Sequence, residues 1–187
     1  MRWIWIDRIV DLQPGRSARA VKNLSCAEEV FRDHLPGYPI MPASLILEGL
    51  AQTGGILVGH ARDFREQVIL AKIGQARFFR EVQPGEQLTF EANLLDLRAE
   101  GATVCGRVFS AEEMVAEAEL MFAHVDPERT KALTGTDNFV FAGELRRLLG
   151  LSRLEQRAAA PVSDSRIGES GGQVEPDAVA KANTASC

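Results

Sequence analysis

The chain is expected to fold as an α+β domain in which a long antiparallel β-sheet is laid around one central buried α-helix. Three features lead to that expectation. Leu45, Ile46, Leu47, Leu50, Ala51, Ile56, Leu57 and Val58 make one segment apolar nearly all round, which is the pattern of a buried helix. Beyond Phe64 the period changes. Leu88, Phe90, Ala92 and Leu94 alternate with Thr89, Glu91 and Asn93, and Met114, Ala116, Ala118, Leu120 and Phe122 alternate with Val115, Glu117, Glu119 and Met121. Period two marks strands with one buried face. Pro84-Gly85 and Glu100-Gly101 supply turn signals between such stretches.

Each element follows in order. Residues 1–12 contain a strand-like stretch rich in Trp, Ile and Val, closed by Gln13-Pro14-Gly15, and residues 16–25 read as a second short strand. Residues 26–42 hold the breakers Pro36, Gly37, Pro39 and Pro42. Proline suits the first turn of a helix, so Pro42 can open the apolar helix of about five turns. Residues 68–82, 88–94, 102–110 and 114–122 are then four strands joined by short turns, which predicts an antiparallel meander. Residues 126–140 read as a linker. Leu145, Leu148 and Leu149, with Arg146, Arg147 and Arg153, predict a short amphipathic helix over 141–157. From Ala158 onward no aromatic residue occurs, and the composition predicts a disordered tail. The expected division is a domain over 1–126, a linker and short helix over 127–157, and a tail over 158–187.

Bulk properties narrow the function. The 187 residues suit one domain with a hydrophobic core. The composition, 45% apolar and 25% charged, is that of an ordinary globular protein, and a net charge of -5 gives no overall attraction to nucleic acid. Cys26, Cys105 and Cys187 are far apart, without the spacing of a metal site. An odd count and the absence of a secretory pattern fit a reducing compartment. The apolar N-terminus is interrupted by Asp7, Arg8 and Asp11, and the run from Leu45 to Val58 contains Glu48 and Gln52. That run is also too short to span a bilayer. A cytoplasmic protein without a membrane span is expected.

The chemistry concentrates between Asp33 and Gln52. Glu48 lies in Leu-Ile-Leu-Glu-Gly-Leu on the apolar helix. Burial would cost a carboxylate several kcal/mol and favour its protonated form, as a general acid near neutral pH requires. His34 stands in the Pro/Gly loop just before the helix, and histidine is the usual proton-transfer residue near neutral pH. Taken singly, each has an ordinary structural reading: a solvated or paired Glu, a loop His bonded to backbone. Together, beside a helix N-terminus whose N–H groups can meet a developing oxyanion, they assemble a base, an acid and an oxyanion site.

The segment from His34 through Leu35-Pro36-Gly37-Tyr38-Pro39-Ile40-Met41-Pro42-Ala43-Ser44 to Glu48 resembles the signature of the 3-hydroxyacyl-acyl carrier protein dehydratases of the FabA and FabZ type. The resemblance extends to Ile6-Asp7-Arg8-Ile9-Val10-Asp11-Leu12, Ala20-Val21-Lys22-Asn23, Ala76-Arg77-Phe78-Phe79-Arg80 and Pro84-Gly85-Glu86-Gln87-Leu88, and covers roughly residues 3–125. It implies the hot-dog fold, a lyase activity in fatty acid or specialised lipid biosynthesis, and His34 and Glu48 as the catalytic pair. Family members usually carry His at Tyr38, Phe at Leu35 and Gly-Val at Ala43-Ser44, and a common N-terminal His-Arg-Tyr-Pro stretch is missing here. These differences leave the pair intact and bear on substrate range.

The implied reaction is dehydration of a (3R)-3-hydroxyacyl thioester to the trans-2-enoyl thioester, with no metal or other cofactor. The thioester carbonyl would bond backbone N–H near Ala43, with Tyr38 and Ser44 also lining the substrate. His34 would take the C2 proton and Glu48 would help the hydroxyl leave. The implied partner is an acyl carrier protein, or coenzyme A. Because acyl carrier proteins are acidic, Arg77 and Arg80, expected on one strand beside the helix, are candidate docking residues. The implied assembly is a homodimer sharing its active sites, which could assemble further into a trimer of dimers. A hot-dog thioesterase would need a carboxylate but no histidine at position 34. A non-catalytic carrier-binding module is the alternative from another class, and a turnover assay separates it from the enzyme. The Asp-x-Asn-Pro-x-His pattern of R-specific enoyl-CoA hydratases is absent, and family members that isomerise the double bond tend to carry Asp where Glu48 stands.

Overall fold

The computed structural model describes residues 4–126, so the linker, the short helix and the tail expected over 127–187 lie outside the described residues. Two short strands come first, β1 (Arg8–Gln13) and β2 (Ser17–Asn23), and pair across the turn that contains Gly15 at φ +66°. The breaker-rich stretch holds one short helix that its composition did not signal, α1 (Val30–Asp33). Pro42 is the N-cap of α2 (Ala43–His60), eighteen residues long. Four longer strands follow: β3 (Gln67–Phe78), β4 (Gln87–Leu97), β5 (Gly101–Ser110) and β6 (Glu113–Val125).

All six strands form one antiparallel sheet in the order β1-β2-β4-β5-β6-β3. Helix α2 touches every strand. Ile46, Leu50, Ile56, Leu57 and Val58 pack against Leu88, Phe90, Val104, Val108, Leu120 and Phe122, and this layer is the core. The approach is close because two glycines permit it. A Cβ on Gly49 would sit 2.6 Å from the ring of Phe90, and one on Gly106 would sit 2.5 Å from Leu50. The α+β arrangement expected from the alternation is therefore the one adopted.

The meander requires correction. Of the four later strands only β4, β5 and β6 follow one another; β3 pairs with β6 at the far edge, Arg77 opposite Glu117, and β2 takes the place beside β4. The third strand also stops at Phe78 instead of running to residue 82. The cause is the connection over 79–86. Its Phe79 N–H still bonds Val115 on β6, its Val82 carbonyl accepts from Met41, and Leu24 N–H bonds its Glu86 carbonyl. Val82 is fully buried there, so the segment is anchored beneath the loop that precedes α2 and cannot serve as a tight hairpin turn. As a result β3 has a free edge. Ile69, Leu70, Ile73 and Phe78, with Phe79 just after it, are large apolar side chains left exposed.

Candidate active site

The site is built from two elements of different character. His34 ends α1 as its C-cap, its N–H bonded to the Val30 carbonyl at 3.0 Å. Buried Phe31 holds this short helix to the core, while Lys22 bonds Glu28 just ahead of it. The next four residues, Leu35-Pro36-Gly37-Tyr38, form a turn closed by Tyr38 N–H to Leu35 carbonyl at 2.8 Å. Proline at its second position and a glycine at φ +83° at its third make it a type II turn. His34 is exposed, and its imidazole has no hydrogen-bond partner among the described residues.

Helix α2 begins where this loop ends. The N–H groups of Leu45 and Ile46 both bond the Pro42 carbonyl. Those of Ala43 and Ser44 have no acceptor within a helix, and proline offers no side-chain cap. Two donors at the positive end of a helix dipole thus face outward beside His34's loop. Glu48 lies further along the same helix. It is half-buried. Neighbouring Gln52 keeps this part of the helix polar. Its amide donates to Glu48 Oε1 at 2.8 Å, and its oxygen accepts from the Trp5 backbone at 2.9 Å. Sequence reading passed over Gln52 as a site residue, although its spacing of four from Glu48 on an apolar helix was a usable signal. Within one chain His34 and Glu48 share no hydrogen bond, and no group of His, Cys, Asp and Glu suited to a metal occurs among the described residues.

The remaining candidates are spread over two surfaces. Tyr38, half exposed, donates from its hydroxyl to Glu81 at 2.7 Å, and that hydrogen bond raises the phenol above its ordinary value. Arg77 is on β3, 3.0 Å from the nearly buried carboxylate of Glu117. Arg80 is not on the strand; it lies in the 79–86 connection, with Glu86 at 2.8 Å and Glu113 at 3.1 Å. The Arg80 bond, helped by Ser110 and the Gln83 backbone, lowers Glu86 to about 2. Both arginines are thus paired within the fold.

The FabA-like domain family matches residues 3–119, the two segments just described included. The chain is a member of the FabA-like family. Two relatives are named 3-hydroxyacyl-[acyl-carrier-protein] dehydratase FabZ. One, from Pelotomaculum thermopropionicum, is 42% identical over 65% of this chain and 87% of its own. Another, from Symbiobacterium thermophilum, is 43% identical over 66% of this chain and 88% of its own. Among solved structures, the dehydratase heterocomplex ApeI:P from Xenorhabdus doucetiae matches with a TM-score of 0.51 at 17% identity, over 66% of this chain and 99% of that one. The E. coli PaaI protein matches with a TM-score of 0.53 at 11% identity, over 63% and 78%. This FabA-like chain has the hot-dog fold, its sheet curled on α2.

Proposed function

We propose that this protein is a hydro-lyase that converts (3R)-3-hydroxyacyl thioesters, carried on acyl carrier protein, to trans-2-enoyl thioesters in fatty acid or specialised lipid biosynthesis. The observation that carries the reading is the pair of uncapped N–H groups of Ala43 and Ser44, which open the helix that bears half-buried Glu48 and follow the loop that bears exposed His34, in a chain whose family relatives bear the dehydratase name. The thioester oxygen accepts from Ala43 and Ser44, which acidifies the C2 proton. His34 removes that proton. Electrons move into the C2–C3 bond, the C3–O bond breaks, and Glu48 donates the proton with which the hydroxyl leaves as water. A thioesterase would leave His34 without a task. A cytoplasmic site of action belongs to this reading; no described helix is long and apolar enough to cross a membrane.

The working unit in this reading is a homodimer, with His34 of one chain serving Glu48 of the other. Support comes from β3: a long sheet edge bearing exposed Ile69, Leu70 and Ile73 is a surface that proteins normally cover. Pairing two such edges covers both. Carrier docking rests on Arg77, which is half exposed beside Glu117.

His34→Ala and Glu48→Gln should each lower turnover by roughly 10²–10⁴-fold. Refolding the two inactive variants together produces mixed dimers in which one site is intact and the other doubly mutated. Activity should return to about half the wild-type value per mixed dimer. Verified mixed dimers that stay inactive would refute the shared site. Near-normal turnover in either single variant would refute that residue's role.

A further inference from the structure

Within one chain the turn that carries His34 is held by almost no packing. Leu35, Pro36, Gly37, Tyr38 and Pro39 are all exposed. Past the turn the buried side chain of Met41 anchors the chain in the core, and two polar bonds fix the segment between. Tyr38 Oη donates to Glu81 at 2.7 Å, and three residues on Met41 N–H donates to Val82 at 2.9 Å. Both bonds cross from the turn to the 79–86 connection. That connection is itself braced by one side chain. Arg80 Nη1 donates to the Glu81 carbonyl at 2.9 Å, Nη2 donates to Glu86 Oε2 at 2.8 Å, and Nε lies 3.1 Å from Glu113. Glu86 also accepts from Ser110 at 2.7 Å and from Gln83 N–H at 2.8 Å. Ser110 ends β5 and Glu113 begins β6. A continuous polar path therefore runs from the β5–β6 tip through Glu86, Arg80 and Glu81 to Tyr38.

We propose that Tyr38, Glu81 and Arg80 are positioning residues that hold the His34 turn in its working geometry, and that Arg80 serves this clamp instead of carrier docking. The inference rests on the dehydratase reading for its kinetic consequences only. A tyrosine stands here where the resembling family has the shorter histidine, and its length lets the hydroxyl reach Glu81 across the gap between the two loops. Glu81 raises the phenol, so Tyr38 remains a donor throughout the neutral pH range. Gly37, at φ +83°, lets the turn close but adds no contact of its own. Loss of the Tyr38 bond would leave the nearest anchor at Met41, three residues on, with its backbone bond to Val82 and its buried side chain. A base that wanders by an ångström loses rate without losing substrate affinity.

The test uses the full chain and a pantetheine-linked 3-hydroxyacyl substrate, which has no carrier protein to dock. Tyr38→Phe and Glu81→Ala are each expected to lower kcat about tenfold, with KM within about twofold. The double variant should be no worse than either single one, because both remove the same bond. Glu81→Gln should restore activity, since its amide oxygen still accepts from the phenol. Arg80→Met should lower kcat on this small substrate, which a docking role would not do. Amide hydrogen exchange over residues 35–41 should rise in Tyr38→Phe and Glu81→Ala and stay low in Glu81→Gln. Wild-type kcat and wild-type exchange in Tyr38→Phe would overturn the clamp, as would effects that multiply in the double variant. A wild-type protein that does not dehydrate the substrate would instead refute the dehydratase reading, leaving hydrogen exchange to decide the clamp.

Discussion

Helix α2 and the His34 turn each carry half of the catalytic pair, yet they are held by different forces. Around Glu48 the helix is packed on the side that faces the sheet: Ile46 and Leu50 are buried, and Gly49 lets the backbone approach Phe90. The His34 turn is exposed over five consecutive residues and is held by bonds to a neighbouring loop. The acid end of the site therefore inherits the stability of the whole core, whereas the base end depends on a handful of polar contacts that can be altered without unfolding the protein.

Breaking the packed side should have the largest effect on stability. Leu50 is fully buried against the sheet beside Gly106. Leu50→Ala should cost about 2–5 kcal/mol in denaturant unfolding through lost transfer energy and a cavity. A cost below about 1 kcal/mol would mean that α2 is not packed as tightly as these contacts require.

An intermediate effect should come from the brace beneath the turn. Glu86 is lowered from 4.5 to about 2 by Arg80, Ser110 and the Gln83 backbone. A carboxyl group whose folded value is depressed stabilises the fold above its unfolded value, and that contribution disappears as pH falls from about 4.5 towards 2. Allowing for solvent screening, it is on the order of 2 kcal/mol. Glu86→Gln should therefore be less stable than wild type at pH 7, with the difference shrinking through that acid window. Parallel stability curves for the two proteins from neutral pH down to pH 2 would contradict the assignment.

The smallest effect on stability should accompany a disproportionate loss of turnover. Gly37→Ala places a Cβ on a residue at φ +83° with nothing else within 4 Å, so the cost is conformational only. It should lower global stability by about 1 kcal/mol and reduce kcat more than the melting temperature suggests. Unchanged kcat together with the expected stability loss would show that the turn tolerates displacement, and would weaken the contrast between the two halves.

Much of this molecule was legible in its residues taken in order. The apolar stretch from Leu45 to Val58 had the pattern of a buried helix, Pro42 marked its start, and the alternation through Phe90 and Leu120 identified core-facing side chains, although Val115 and Glu117, on the opposite face of that pattern, are buried as well. The segment from His34 to Glu48 named the family. Period two, however, records which face a side chain occupies and is silent on which strand lies alongside. The pairing of β3 with β6 depended on how the 79–86 connection crosses the sheet and where Val82 is buried, so the meander expected from short spacing was only partly formed. In the same way Tyr38 and Glu81 are 43 residues apart, and Arg80 meets Glu86 and Glu113 only because that crossing brings three elements to one corner. Local periodicity and the dehydratase motif were determined by the sequence itself, because both are properties of neighbours along the chain. The exposed β3 edge, the half-burial of Glu48 and the bonds that hold the His34 turn were decided by the tertiary structure, because each depends on contacts between segments that the chain brings together only when the sheet closes on α2.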